Sequence, residues 1–421
     1  MRLGRAISVA VSLLTLAACE QKKEAPPAPA GQAAAPGPGP VILVGHVGSL
    51  TGNEATFGDS TDKGIRLAVD EVNARGGIKG KQVQMKTYDD QGKPEEAAIA
   101  SSRLILQDKI SVLIGEVASS RSLAMAPIAD QNRVPMITPS STNPRVTKDG
   151  ARTRPYVFRV CFIDPFQGTV MAKFAHGKGI KKVAVLRDVG NDYSVGLADY
   201  FLSKYKELGG KIVDDQSYKA GDQDFKAQLT AIKAKGPEAI YVPGYYTDVA
   251  LVARQARELG IKVPLMGGDV WDSPKLFEIG GKAVEGSFFS NHYSYEDPAP
   301  RIQEFVKTYK ERFGAIPDGL AATGYDAARL AFDAMGRAKD LTGESIRDAI
   351  EASKGFPGVS GVITIDADHN AVKSAVVLEV KGGAGRYVAT IEPDAPAGAA
   401  PAAPPPTPAA QQVLPAAPKP H

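Results

Sequence analysis

Cysteine is almost absent from the 421 residues: there are two, Cys19 and Cys161, far apart and in no CxxC arrangement. That excludes a disulfide framework and a cysteine-based zinc site. The five histidines (His46, His176, His292, His369, His421) form no i, i+4 pair, so neither a metal site nor a cofactor is expected. An excess of one charge is missing too. Fifty Lys and Arg against 47 Asp and Glu leave a formal net charge of +3, without the basic stripe that nucleic acid requires. Catalytic signatures are lacking: no GxSxG, no Walker A, no GxGxxG after a strand and no HExxH. An enzyme is therefore the least supported class.

What is present is an ordinary globular mixture, 43% hydrophobic and 23% charged, long enough for more than one core. Just over half of the 31 prolines lie in two flanks, residues 20–40 and 392–421. Both flanks are Ala/Pro-rich with little to bury, so a spacer (19–40) and a disordered tail (392–421) are expected around a domain spanning 41–391. Before the spacer stands a basic start, Met1 to Arg5, followed by the apolar run Ala6 to Ala18. The run is too short to span a bilayer and suits a secretory signal, 1–18. It ends Leu16-Ala17-Ala18-Cys19, which resembles the lipobox of bacterial lipoproteins. That likeness implies a lipid on Cys19 and a membrane anchor at the cell envelope.

From Val41 the pattern is regular. Short β-branched runs (41–47, 83–88, 112–114, 135–137) alternate with helical periodicity (56–75, 95–107, 122–130). The alternation restarts after 155, with strands near 157–160, 183–186, 211–218, 239–242 and 265–266, and helices near 166–177, 193–208, 224–235 and 246–260. Helices near 299–313, 319–338 and 343–353 precede strands near 362–365, 373–380 and 387–391. This predicts an α/β fold of two doubly wound parallel-sheet units. Ligands of such sheets bind outside the carboxyl ends of the strands, so two facing units place a site in the cleft between them.

Several stretches together resemble the periplasmic leucine/isoleucine/valine-binding proteins, the type I solute-binding family of ABC importers. They are Gly48-Ser49-Leu50-Thr51-Gly52, the run Gly64 to Ile78, Tyr88-Asp89-Asp90, Ile114-Gly115 with Ser119-Ser120, Ser140-Ser141-Thr142-Asn143-Pro144, Asp192 to Gly196, Gly221 to Phe225 and Arg254 to Gly260. The resemblance implies a Venus-flytrap of two lobes with three hinge crossovers, near 159–162, 286–290 and 356–362. Lobe 1 is then about 41–160 and 289–358, and lobe 2 about 161–288 and 359–391. It further implies a monomer that binds an amino acid, branched-chain or otherwise apolar, and hands it to permease and ATPase subunits. Amides, urea or small aromatic acids on the same fold, or a ligand-sensing role, are the alternatives.

The residues can be weighed beside that likeness. Ser119 precedes a helix expected at about 121–132, where N–H groups and the positive helix end would seat a carboxylate. The bland alternative is that Ser119 or Ser120 merely caps the helix. By resemblance, Ser119, Ser141 and Thr142 hold the ligand's α-carboxylate, while Tyr245 and Asp269 hold its ammonium. Asp269 stands where glutamate is frequent in the family. Tyr193 matches a tyrosine at the cleft mouth. Phe57, Val117 and the sole tryptophan, Trp271, are the expected apolar walls. Cys161 reads as a buried small hydrophobe.

Overall fold

The computed structural model describes residues 41–393. The signal, the spacer with Cys19 and the tail from residue 394 lie outside the described residues.

The first strands are β1 (Ile42–Gly48), β2 (Val83–Asp89), β3 (Val112–Ile114), β4 (Met136–Thr138), the short hairpin β5 (Lys148–Asp149) and β6 (Arg152–Thr153), and β7 (Val157–Arg159). Five of them form a parallel sheet in the order β2-β1-β3-β4-β7. Helix α1 (Ala55–Ala74) covers one face, and α2 (Pro94–Leu106) and α3 (Ser119–Gln131) cover the other. The strands are buried on both sides, so they read as continuous apolar runs rather than alternating ones.

The second unit contains α4 (Asp164–Gly177), β8 (Lys182–Asp188), α5 (Asp192–Glu207), β9 (Lys211–Tyr218), α6 (Lys226–Ala234), β10 (Ala239–Tyr241), α7 (Tyr246–Glu258), β11 (Leu265–Gly267), α8 (Pro274–Gly280) and β12 (Phe288–Asn291). The chain then returns to the first unit with α9 (Pro300–Phe313), α10 (Gly319–Arg337), α11 (Gly343–Glu351) and a small antiparallel sheet, β13 (Phe356–Gly358), β14 (Gly361–Ile365) and β15 (Ala371–Val372). Helix α10 lies against α1 with almost no gap: a Cβ on Gly64 would stand 2.1 Å from the Ala321 carbonyl oxygen. Only glycine permits that approach. Finally β16 (Ala375–Val380) and β17 (Gly385–Ile391) complete a seven-stranded sheet, β17-β16-β12-β11-β10-β8-β9, in which the last two strands are antiparallel.

Apart from Phe57, Val117, Ala118 and Leu320, which join the cluster of lobe 2, core membership changes lobe at three places. Val160 packs in the first lobe and Phe162 in the second; Phe289 in the second and Tyr293 in the first; Ala371 in the first and Ala375 in the second. The first crossover lies where expected. The second lies later, because β12 extends the sheet of lobe 2 to Asn291. The third also lies later, because β13–β15 pack with lobe 1 and only β16 leaves it. Lobe 1 is thus 41–160 and 293–372, and lobe 2 spans 162–291 and 375–391.

In each sheet the strand order reverses beside the first strand of the unit, between β1 and β3 and between β8 and β10. The segments leaving those strands (Ser49, Glu116–Ser119, Asp188–Asn191, Val242–Tyr245) are where an open sheet positions a ligand.

Candidate functional site

The two lobes touch along the cleft. Phe57 of lobe 1 meets Tyr245 and Tyr246 of lobe 2 edge-on, at 5.2 and 5.4 Å between ring centroids. Phe57 and Val117 belong to the apolar cluster that fills lobe 2. Polar ties cross beside them: Thr247 Oγ1 donates to the Asn53 carbonyl (2.7 Å), and Ser120 Oγ to Asp192 Oδ2 (3.0 Å). Asn143 Nδ2 donates to the Asp192 carbonyl at 2.9 Å. A cavity of about 510 Å³ lies at this lip, lined by Asn143, Arg145, Asn191, Asp192 and Gly196 among others.

The wall of lobe 1 is largely main chain. Ala118, extended and with no side-chain cap, precedes α3, so Ser119 is the first helical residue and neither Ser119 nor Ser120 is the cap. The first N–H groups of a helix have no acceptor within it. Here they open beside the 138–143 loop, since the Asn143 N–H donates to Ser119 Oγ at 3.3 Å. Thr142 is fully buried; its Oγ1 makes no hydrogen bond of ordinary geometry among the described residues, but it lies close enough to the buried Asp164 carboxyl to offset part of the rise to about 7 that burial causes there. Ser141 departs from expectation. Its hydroxyl is spent on the Glu116 and Val117 carbonyls (2.9 and 3.0 Å) and on Ser122 Oγ (2.7 Å). It ties the loop to α3 instead of facing the cleft.

A charged layer lies behind this wall. Glu116 pairs with Arg121 at 3.0 Å, both buried, and accepts from the Ser49 N–H and hydroxyl. Burial, then the neighbouring Glu116, pushes the Asp90 carboxyl up to about 7. Glu54, at the start of α1, is raised by burial despite Arg121.

The wall of lobe 2 is built from side chains and centres on Asp269. Its Oδ1 accepts from Gln167 Nε2 (2.7 Å) and Tyr193 OH (3.0 Å), and its Oδ2 from Ser140 Oγ (2.7 Å) and His292 Nε2 (2.9 Å). Burial alone would raise this carboxyl, but the donors, His292 foremost, hold it below the ordinary aspartate value. Burial keeps His292 below its own ordinary value, so a neutral imidazole offers Nε2–H to the carboxylate. A Cβ at Gly268 would fall 2.0 Å from the Tyr193 hydroxyl. Glycine there is what lets Tyr193 reach Asp269. Tyr193 stacks on Tyr245 at 5.7 Å. Trp271 lies over Gly267 and 6.3 Å from Phe289, contacts internal to lobe 2 that make it core rather than cleft wall.

The fold therefore gathers Ser119, Thr142, Tyr193, Tyr245, Asp269, Phe57 and Val117 around the cleft, and turns Ser141 and Trp271 away from it. Sequence reasoning missed Ser140, Gln167, His292 and Arg159. Ser140 was within reach, because it neighbours Ser141 in the same loop. His292 stands two residues beyond the expected second crossover, but nothing in the chain marks it as a partner of Asp269.

A family model described as periplasmic binding protein matches residues 41–385. The Leu/Ile/Val-binding protein BraC3 of Rhizobium johnstonii is 30% identical over 77% of this chain and 87% of its own length. Among solved structures, a leucine binding protein LivK from Thermotoga maritima is 44% identical, with a TM-score of 0.80 over 84% of this chain and 99% of that one. The branched-chain amino acid transporter substrate binding protein LivJ from Streptococcus pneumoniae, solved with isoleucine, is 34% identical, with a TM-score of 0.78 over 83% and 99%.

Proposed function

Because this chain belongs to the periplasmic binding protein family that includes the Leu/Ile/Val-binding proteins, we propose that it is the substrate-binding lipoprotein of an ABC importer. It captures an amino acid, branched-chain or otherwise apolar, between its lobes and delivers it to the membrane permease and ATPase subunits. The observation that carries this reading is the complementarity of the two walls. Helix N–H groups with the Ser119 and Thr142 hydroxyls suit a carboxylate, and the buried Asp269 opposite suits an ammonium. Phe57, Val117 and Tyr245 offer an apolar surface between them. The isoleucine held by the similar LivJ protein supports the same ligand class.

Binding in this reading is closure. Ligand anchors divided between lobes give the closed form a contact energy that an open form lacks, which is the condition for a ligand to shift the equilibrium. The family implies the periplasm. Within it, the Leu-Ala-Ala-Cys ending of the leader supports a lipid on Cys19 and a monomer tethered to the membrane.

Native mass spectrometry of protein purified without refolding tests the ligand class, and is expected to find a co-purified aliphatic amino acid. Titration calorimetry showing no binding of leucine, isoleucine or valine would overturn it. Intact-mass analysis of the mature N-terminus tests the anchor, and an unmodified start at a residue other than Cys19 would sink it.

A further inference from the structure

Arg159, the last residue of β7, is fully buried directly behind the loop that carries Thr142. Its Nη1 donates to the Ser141 carbonyl (2.6 Å), and its Nη2 to the Asn143 carbonyl (2.9 Å) and to Thr147 Oγ1 (3.3 Å). Cys161 Sγ gives the Ser141 carbonyl a second donor at 3.4 Å. The Thr142 carbonyl accepts from the Asp164 N–H at 2.9 Å. Three successive carbonyls are thus drawn inward.

A trans peptide points its N–H away from its own carbonyl. The N–H of Asn143 accordingly meets Ser119 Oγ. The N–H of Thr142, which shares a peptide with the Ser141 carbonyl, makes no hydrogen bond among the described residues. The hydrogen-bond partners of the Arg159 guanidinium are three neutral oxygens; the carboxyls that act on it, Asp164 and Asp366, make no ion pair with it among the described residues, and burial pushes Asp164 up to about 7. A buried cation whose counter-charges are distant or only partly ionised is costly. Here its charge sits at the oxygen end of a peptide dipole whose N–H end faces the carboxylate seat.

We propose that Arg159 is a positioning residue that acts on the ligand's carboxylate through the Ser141–Thr142 peptide. It thereby sets the preference of the site for a carboxylate over a neutral carboxamide. This rests on the reading of the ligand as an amino acid. The guanidinium holds the loop with its N–H groups outward and polarises the peptide, a preorganised dipole that needs no rearrangement when the anion arrives. Coulomb attraction acting across one peptide unit, at an effective dielectric of about 20, corresponds to roughly 10- to 100-fold in affinity.

The test is calorimetric titration of the whole mature protein with leucine and with leucinamide, for wild type, Arg159→Gln and Arg159→Lys. Wild type is expected to favour leucine. Arg159→Gln should weaken leucine roughly 10- to 100-fold while changing leucinamide much less, and Arg159→Lys should recover most of the loss. An equal loss for both ligands in Arg159→Gln would mean a merely structural role and overturn the proposal, as would an unchanged ratio. If near-ultraviolet circular dichroism shows that Arg159→Gln does not fold, the ratio in Arg159→Lys decides, and no narrowing overturns it. If neither variant folds, Cys161→Ala, which removes the second donor to the Ser141 carbonyl, must narrow the ratio for the proposal to stand. If wild type binds neither ligand, the amino-acid reading itself fails, and this inference with it.

Discussion

The two walls of the cleft are made of different material. Lobe 1 presents helix N–H groups, a loop N–H and two hydroxyls, with its charged groups (Glu116, Arg121, Arg159) set behind the backbone. Lobe 2 holds a buried carboxylate, gripped by Gln167, Tyr193, Ser140 and His292 and flanked by aromatic rings. A main-chain wall is insensitive to most substitutions, because no single side chain supplies it. A side-chain wall concentrates its contribution in one residue. Mutation should therefore be felt most on lobe 2, and on lobe 1 only through hydroxyls or through what lies behind the loop.

The sharpest way to break this contrast is Asp269→Asn. All four acceptor directions of the carboxylate are taken by protein donors, so a ligand ammonium reaches it only by displacing a hydroxyl, Ser140 or Tyr193. The substitution removes the charge and turns a donor toward existing donors. Amino-acid affinity should fall by about 2–4 kcal/mol, roughly 30- to 1,000-fold, in calorimetric titration. A neutral amide ligand should be nearly unaffected. Equal leucine affinity in both forms would place the ammonium elsewhere.

The second prediction separates two neighbours on lobe 1. Thr142→Val should cost about 1.5–2 kcal/mol of binding, roughly 10- to 30-fold, with little change in melting temperature. Ser141→Ala removes a hydroxyl with three internal partners, so it should cost about 1–3 kcal/mol of folding stability before it affects the ligand. Parallel denaturant melts and titrations distinguish the two, and the same profile from both variants would erase the distinction.

A third concerns pH. The Thr247–Asn53 hydrogen bond brings the start of α7 to the start of α1, and Asp248 and Glu54 come with them. Burial first, then Asp188 and Glu54, pushes the Asp248 carboxyl up to about 7. Asp188 and Glu54 are also raised, burial being the main cause of each. Arg121, the nearby cation, stands 3.0 Å from Glu116 and 3.6 Å from Glu54 and offsets part of the rise at Glu54, while Asp222 adds to the acidity. The closed form therefore holds more protons than a form whose lobes are apart. Its advantage is complete below the ordinary aspartate range and is lost as pH rises through about 7. Ligand affinity should fall several-fold, on the order of 3- to 10-fold, between pH 6 and 8, and Asp248→Asn should flatten that slope. A flat wild-type profile would exclude the linkage.

The smallest effect is expected at the lip. The Arg145–Asp192 pair crosses the cleft at 2.9 Å but is largely exposed. Arg145→Ala should weaken binding by about threefold at most, and less at high salt. A larger loss would mean that the rim of lobe 1, and not only its backbone, holds the ligand.

Much of the fold was legible because apolar periodicity and glycine stops mark parallel strands and their helices. Strands β3 and β9 match expectation residue for residue, and α1 and α10 to within a residue at each end. The later crossovers were not legible. Four-residue β12 carries a polar Ser-Asn half, and β13 to β15 look like any short strands; only packing tells which lobe they join. At the cleft, the residues proposed for the site are of recognisable type and stand in loops that the pattern marks. Arg159 was not legible, because a buried arginine serving carbonyls leaves no pattern in the chain around it. Ser141 and Ser140 are chemically the same letter, and the pleat of the loop decides which faces inward.

The late second crossover also bears on how the protein is made. Lobe 1 begins at residue 41, yet α10, which covers α1, arrives only at Gly319–Arg337. While the ribosome works through the intervening stretch, the apolar face of α1 has no permanent cover. Lobe 2 fares differently. Its five parallel strands are consecutive in the chain, and β16 and β17 add to an edge rather than a centre. The lobe that is translated second can thus be finished first, and the nascent chain stays open on its N-terminal side until near the end. Long-range pairing of this kind is slow and exposes apolar surface, so lobe 1 should be the later of the two to gain its full protection.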